Sequence, residues 1–166
     1  MEIDTLQKLY VEELRDLHSA ERQIIQALPR MIKAATSPDL KAALQEHLDI
    51  TKEQLGRLDQ IFERLGKKGT GKKCKGMEGV IADGKELLEE DMAPEVLDAG
   101  IISAAQHVEH YEMAGYGTVR TYAQLLGDKE AQRLLQMTLD EEGDADKKLT
   151  KLAERINVEA EAPVER

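Results

Sequence analysis

A chain of 166 residues with a net charge of −10 at pH 7 is long enough for one domain with its own core, and its acidity disfavours nucleic acid and anionic membrane surfaces as partners. Aromatics are scarce (four Tyr, one Phe, no Trp), so the core must come from Leu, Ile, Ala and Met, which suits packed helices better than sheets. The single Cys74 excludes an internal disulfide and a cysteine-based zinc site.

The start, Met1-Glu2-Ile3-Asp4, is acidic and lacks the apolar stretch of a secretory signal. No apolar run is long enough to cross a membrane, so a cytoplasmic location is expected. From about Thr5 to Ala35, Leu6, Leu9, Tyr10, Leu14, Leu17, Ile24, Leu28 and Met31 recur at helical spacing. Pro29 should kink this helix or mark an irregular turn. Ser37-Pro38 then reads as an N-cap followed by proline at the first helical position. The second helix runs to about Leu65 and stops at Gly66.

Gly66 to Gly79 is rich in Gly and Lys, and a short amphipathic segment follows from about Val80 to Glu90. Within it, Gly66-Lys67-Lys68-Gly69-Thr70-Gly71-Lys72-Lys73 nearly spells a phosphate-binding P-loop. It ends in Lys where Ser or Thr should hold magnesium, and it follows a helix rather than a strand, so nucleotide binding is set aside. The reading kept is a basic crossover that touches acidic surfaces. Cys74 lies in this Lys-rich stretch, a setting that can lower a thiol pKa, but no partner cysteine exists to use it. Pro94 opens a third long helix ending at Gly127, and Asp128 caps a fourth that runs to about Ile156. Residues 157–166 are polar and Glu-rich and are expected to fray.

Four long helices follow, with tight turns after the first and third and a long crossover between the second and third. That is an all-α, ferritin-like four-helix bundle over residues 1–156, with the two crossover-linked helices parallel.

Several acidic residues fall on the apolar faces. On the third long helix, Glu109 and Glu112 lie within about 30° of the centre of the stripe through Ile102, Ala105, Tyr116, Val119 and Ala123. On the fourth, Glu142 lies near the centre and Asp146 on the flank. Counted from Gly127, Glu112 is fifteen residues before and Glu142 fifteen after; Glu109 is eighteen before and Asp146 nineteen after. In an antiparallel pair these four carboxylates share one height. Glu21, sixteen residues before Ser37, reaches the same layer from the first helix. Buried unpaired carboxylates are costly, and together they call for a cation.

The second helix turns His47, Thr51 and Gln54 inward but no acid; Ile50 stands on the flank where one would be useful. No Glu-x-x-His, the usual di-iron signature, occurs in the sequence. The plainer alternatives are a salt-bridged face for the glutamates, with Arg120 neutralising one, pairing of Asp146 with Lys147 or Lys148, and a satisfied core role for His47. Packing is the expected role of Tyr111 and Tyr116.

The chain resembles the YciE/YciF group of bacterial stress-associated proteins, in the ferritin-like superfamily. The resemblance rests on Leu14-Arg15-Asp16-Leu17 through Ser19-Ala20-Glu21-Arg22-Gln23 and on His47-Leu48 with Thr51 and Gln54. It also rests on Lys73-Cys74 with Met77-Glu78-Gly79, on Val108-Glu109-His110-Tyr111-Glu112, and on Thr138-Leu139 with Glu141-Glu142 and Asp146-Lys147-Lys148-Leu149-Thr150. It implies a bundle related to rubrerythrin and ferritin, a homodimer, and a dinuclear metal site. Glu21, Glu109, Glu112, Glu142 and Asp146 match the positions such a site would use, and Ile50 departs from the acid that relatives look to carry. The expected occupant is one or two ions of iron, manganese also fitting oxygen ligands. Glu112 or Glu142 would bridge, the other acids would be terminal, and His47 would add a neutral donor. The expected chemistry is oxidation of Fe(II) by oxygen or peroxide. The alternative is a non-enzymatic stress or assembly protein with a structural or vestigial site.

Overall fold

A computed structural model describes residues 2–161. Five helices account for it: α1 (Leu6–Ala34), α2 (Pro38–Leu65), α3 (Lys75–Leu87), α4 (Pro94–Leu125) and α5 (Lys129–Glu161). No strand occurs among the described residues. No helix among them is long and apolar enough to cross a membrane.

The boundaries follow local chemistry. Thr5 and Ser37 accept hydrogen bonds from Lys8 N and Leu40 N as N-caps. Asp128 Oδ1 does the same for Ala131 N at 3.0 Å. Gly66 and Gly127 end α2 and the α4–α5 turn with φ of 62° and 77°, a left-handed backbone that favours glycine. No irregular turn interrupts α1 at Pro29; the helix continues through it to Ala34. Pro29 is exposed, while Ile24 and Leu28 before it are buried in the core.

The crossover helix begins earlier than the sequence suggests. Cys74 caps it, its thiol accepting from Met77 N at 3.4 Å. Its buried thiol also faces the Tyr111 hydroxyl at 3.1 Å and Asp16 Oδ2 at 3.0 Å. Burial pushes the Cys74 pKa up, the reverse of the lowering its basic neighbours suggested. The helix α5 runs past Ile156 to Glu161, helped by Arg155, which pairs with Asp39 of α2 and with Glu159 one turn on. The remainder of the tail expected to fray, residues 162–166, lies outside the described residues.

Neighbouring helices run antiparallel. From α1 to α4, Leu17 meets Gly115 while Thr36 meets Asp98. From α2 to α5, Asp39 meets Arg155 while Gln54 meets Glu142. The pairs α1–α2 and α4–α5 are joined by short turns, so α2 and α4 are parallel, as one long crossover requires.

The core has two halves. One gathers Ile24, Leu28, Leu44, Leu48, Ile102, Ala105, Leu149 and Ile156. The other gathers Tyr10, Leu14, Leu58, Phe62, Tyr116, Val119 and Leu135. Most of the buried polar residues of the long helices fall at or between these segments: Glu21, then His47, Thr51 and Gln54, then Glu109 and Glu112, then Thr138 and Glu142, with His18 and Asp98 standing outside the layer. A polar layer therefore cuts across an otherwise apolar bundle.

Candidate metal centre

Helical periodicity builds this layer. Glu109 and Glu112, three apart on α4, share a face, and the Gly127 turn folds Glu142 of α5 opposite them. Glu21 arrives from α1 and His47 from α2. Donor atoms of His47, Glu109, Glu112 and Glu142 all lie within 4.8 Å of one another. Glu21 stands beside Glu112. Glu21, Glu109 and Glu112 are 0% exposed, Glu142 1% and His47 6%.

Few of their polar atoms have partners. Gln54 donates to Glu142 Oε1, and the Tyr116 hydroxyl donates to Glu21 Oε1. His47 Nδ1 comes within 2.9 Å of Glu109 Oε1, but out of line for a hydrogen bond. That leaves Glu21 Oε2, His47 Nε2, Glu142 Oε2 and both oxygens of Glu109 and of Glu112 buried and unpartnered. No Lys or Arg among the described residues pairs with these glutamates. Arg57 instead forms a two-pronged pair with Glu141 at 2.6 and 2.7 Å, and Arg120 bonds Gln124.

The electrostatics follow from burial. Burial, reinforced by the Glu142 charge, pushes the Glu21 carboxyl up to about 8. Burial pushes Glu109 up to about 7. Glu112 and Glu142 rise well above the usual carboxylate range for the same reason, with neighbouring carboxylates adding to it. Burial lowers the His47 pKa, which keeps the imidazole neutral. Without a cation, protons must hold this layer together. With one, the carboxyls give up those protons and become ligands. Oxygen donors with one imidazole suit iron or manganese.

Asp146 stands apart from the cluster. It is one turn beyond Glu142 and about 40° further round the helix, toward the surface. There it accepts from Gln106 Nε2 at 3.2 Å and lies 3.2 Å from His110 Nε2, not from Lys147 or Lys148. His18 bonds Asp59 at 2.9 Å, outside the layer.

Two buried polar side chains carry no signal in the sequence. Tyr116 lies on the apolar stripe like any packing residue, and nothing in its spacing signals a hydroxyl aimed at Glu21. Asp98, 3% exposed, accepts from Thr36 N, Thr36 Oγ1 and Ser37 N, each at 2.7 Å, and so ties the α1–α2 turn to the start of α4.

Comparison with known proteins agrees with this architecture. Residues 5–162 match the family described as "Domain of unknown function (DUF892)". Protein YciF of Escherichia coli (strain K12) is 41% identical over 163 residues, 97% of this chain and 98% of that one. The crystal structure of the E. coli stress protein YciF superposes with a TM-score of 0.91 at 40% identity, covering 94% of this chain and 99% of that one. YcfI from Rhodopseudomonas palustris gives 0.87 at 44% identity, covering 90% and 95%. A protein from Xanthomonas campestris pv. campestris shares the fold at 20% identity, with a TM-score of 0.77 over 93% and 95%. The chain belongs to the DUF892 family, folded as a ferritin-like helical bundle of the YciF type.

Proposed function

We propose that the polar layer holds one or two divalent metal ions, iron foremost, with Glu21, Glu109, Glu112, Glu142 and His47 as donors. One observation carries this reading: seven unpartnered oxygen and nitrogen atoms converge in a buried layer with no cation among the described residues paired to them. Each unsatisfied buried group costs on the order of 1–3 kcal/mol, and a bound cation would satisfy several at once. When bound, iron supplies electrons to oxygen or peroxide as Fe(II) goes to Fe(III). The chain's own residues bind and orient it. Gln54 and Tyr116 fix Glu142 and Glu21, and the two apolar core halves keep bulk water from the layer along the bundle axis. The likeness to a stress protein of E. coli supports placing this chemistry in a stress response.

Elemental analysis of protein purified without chelator, and again after anaerobic Fe(II) loading, tests the site. One to two metals per chain are expected, and less than about 0.2 in both samples sinks the reading.

A second reading has a specific observation behind it. The helix α2 gives the layer His47 but no carboxylate, Ile50 being apolar, and a structural role has been suggested for the similar YcfI. Here the metal braces the bundle and turns nothing over. Stopped-flow absorbance after mixing the Fe(II)-loaded protein with oxygen separates the two. Bound metal with no oxidation faster than in buffer supports the structural role.

A further inference from the structure

Between α2 and α5 a cleft of about 230 Å³ runs from the surface to the polar layer. Its mouth carries the exposed Glu46, Asp144 and Lys148, and its inner end is formed by the buried His47, Glu109 and Glu142. Those three inner residues own four of the unpartnered atoms described above. At roughly 30 Å³ per water the cleft has room for about seven, enough for a hydrated cation. Lys148 Nζ pairs with Glu46 across the mouth, joining α5 to α2. Deeper in, Glu141 is held by Arg57.

Two other directions suit an ion less well. Along the bundle axis lie the two apolar core halves. A second cavity that touches His47, between α1, α3 and α4, has only about 70 Å³. Ile24, Leu28, Met31, Val80 and Val108 line it, with Arg30 and Lys85 among its few polar residues. A cation passing there would lose its hydration against hydrocarbon and meet like charge.

We infer that the α2–α5 cleft is the route by which a divalent cation reaches the buried layer, and that the Lys148–Glu46 pair across its mouth sets the rate of passage. The inference rests on the metal-binding reading above. Both members of the pair are about half exposed, 51% and 54%, so the contact is weak and opens readily. Closed, it cancels one acidic charge and places an ammonium in the path. Open, it leaves Glu46 and Asp144 facing an arriving cation.

Two conservative variants at exposed positions test this without threatening the fold. Wild type, Lys148→Gln and Glu46→Gln are mixed with Co(II) at pH 7 and low ionic strength. The Co(II) left free is read at set times with a chromophoric chelator in quenched flow. Lys148→Gln is expected to speed uptake, and Glu46→Gln to slow it, each on the order of fivefold. Both should reach the same Co(II) per chain by elemental analysis, and both differences should shrink in about 0.5 M salt, where the screening length falls below roughly 5 Å. If wild type takes up Co(II) and both variants keep its rate, the route is overturned and the metal site stands. If wild type takes up no Co(II) and the metal assay above is also negative, both readings fall together.

Discussion

The Tyr116 hydroxyl of α4 donates to Glu21 Oε1 of α1, so a residue of one apolar core half reaches into the polar layer and holds one of its carboxyls. The other oxygen of Glu21 has no partner. Removing the hydroxyl leaves both oxygens of a buried group unsatisfied. Tyr116→Phe is expected to destabilise the metal-free protein by about 1–2 kcal/mol, a Tm drop of roughly 2–8 °C for a chain of this size. Thermal melts in chelator check this, and an unchanged Tm would show the contact to be dispensable.

The metal-free protein should lose stability as pH rises. Glu21 and Glu109, at about 8 and 7, hold protons in the folded state that the unfolded chain, near 4.5, releases. A raised carboxyl contributes stability that is fully present below 4.5 and lost as pH climbs through the folded value. The window therefore runs from about 4.5 to 8. Glu112 and Glu142 shift in the same sense. His47 opposes them: its lowered pKa makes the folded state less stable below its ordinary 6.5. Four carboxyls outweigh one imidazole, so the Tm in chelator should be higher at pH 5.5 than at pH 8.5. A Tm that stays flat or rises across this range would contradict the burial of ionisable carboxyls.

Replacing a proposed donor with hydrocarbon should separate stability from binding. Glu112 is fully buried with both oxygens unpartnered. Glu112→Leu is expected to stabilise the metal-free protein at pH 8 by about 1–3 kcal/mol. Metal bound per chain should fall by at least half. A variant that loses stability in chelator would indicate that the carboxyl satisfies the apo fold in a way its geometry does not account for.

Asp98 should matter equally with and without metal. It accepts three hydrogen bonds from Thr36 and Ser37, about three helical turns from Glu109 along α4 and outside its cluster. Asp98→Ala is expected to cost on the order of 3 kcal/mol, with the same Tm loss in chelator and after metal loading. A loss confined to the metal-loaded protein would tie this turn to the site instead.

Much of the site was legible before any coordinates. The period of 3.6 residues fixed which face Glu109, Glu112 and Glu142 occupy, and the equal spacing from Gly127 fixed their shared height. Both are local properties of helices joined by a tight turn. Asp146 shows where that arithmetic ends. Its distance from Gly127 nearly matches Glu109 and its helical angle places it on the flank, but only the fold shows that Gln106 and His110 engage it there, away from the cluster.

What the sequence by itself determined is a charge-poor stripe on each of four helices and a set of acids placed on those stripes. Each follows from residue type and helical period within a single segment. Only the tertiary structure decided that Tyr116 and Gln54 satisfy some of those acids, that Arg57 and Lys148 spend their charge elsewhere, and that Asp98 ties the first turn to α4. It also decided that a cleft between α2 and α5 leads inward to the layer. These depend on how far each helix slides and rotates against its neighbours, which is set by core packing summed over the whole bundle and is written in no one segment.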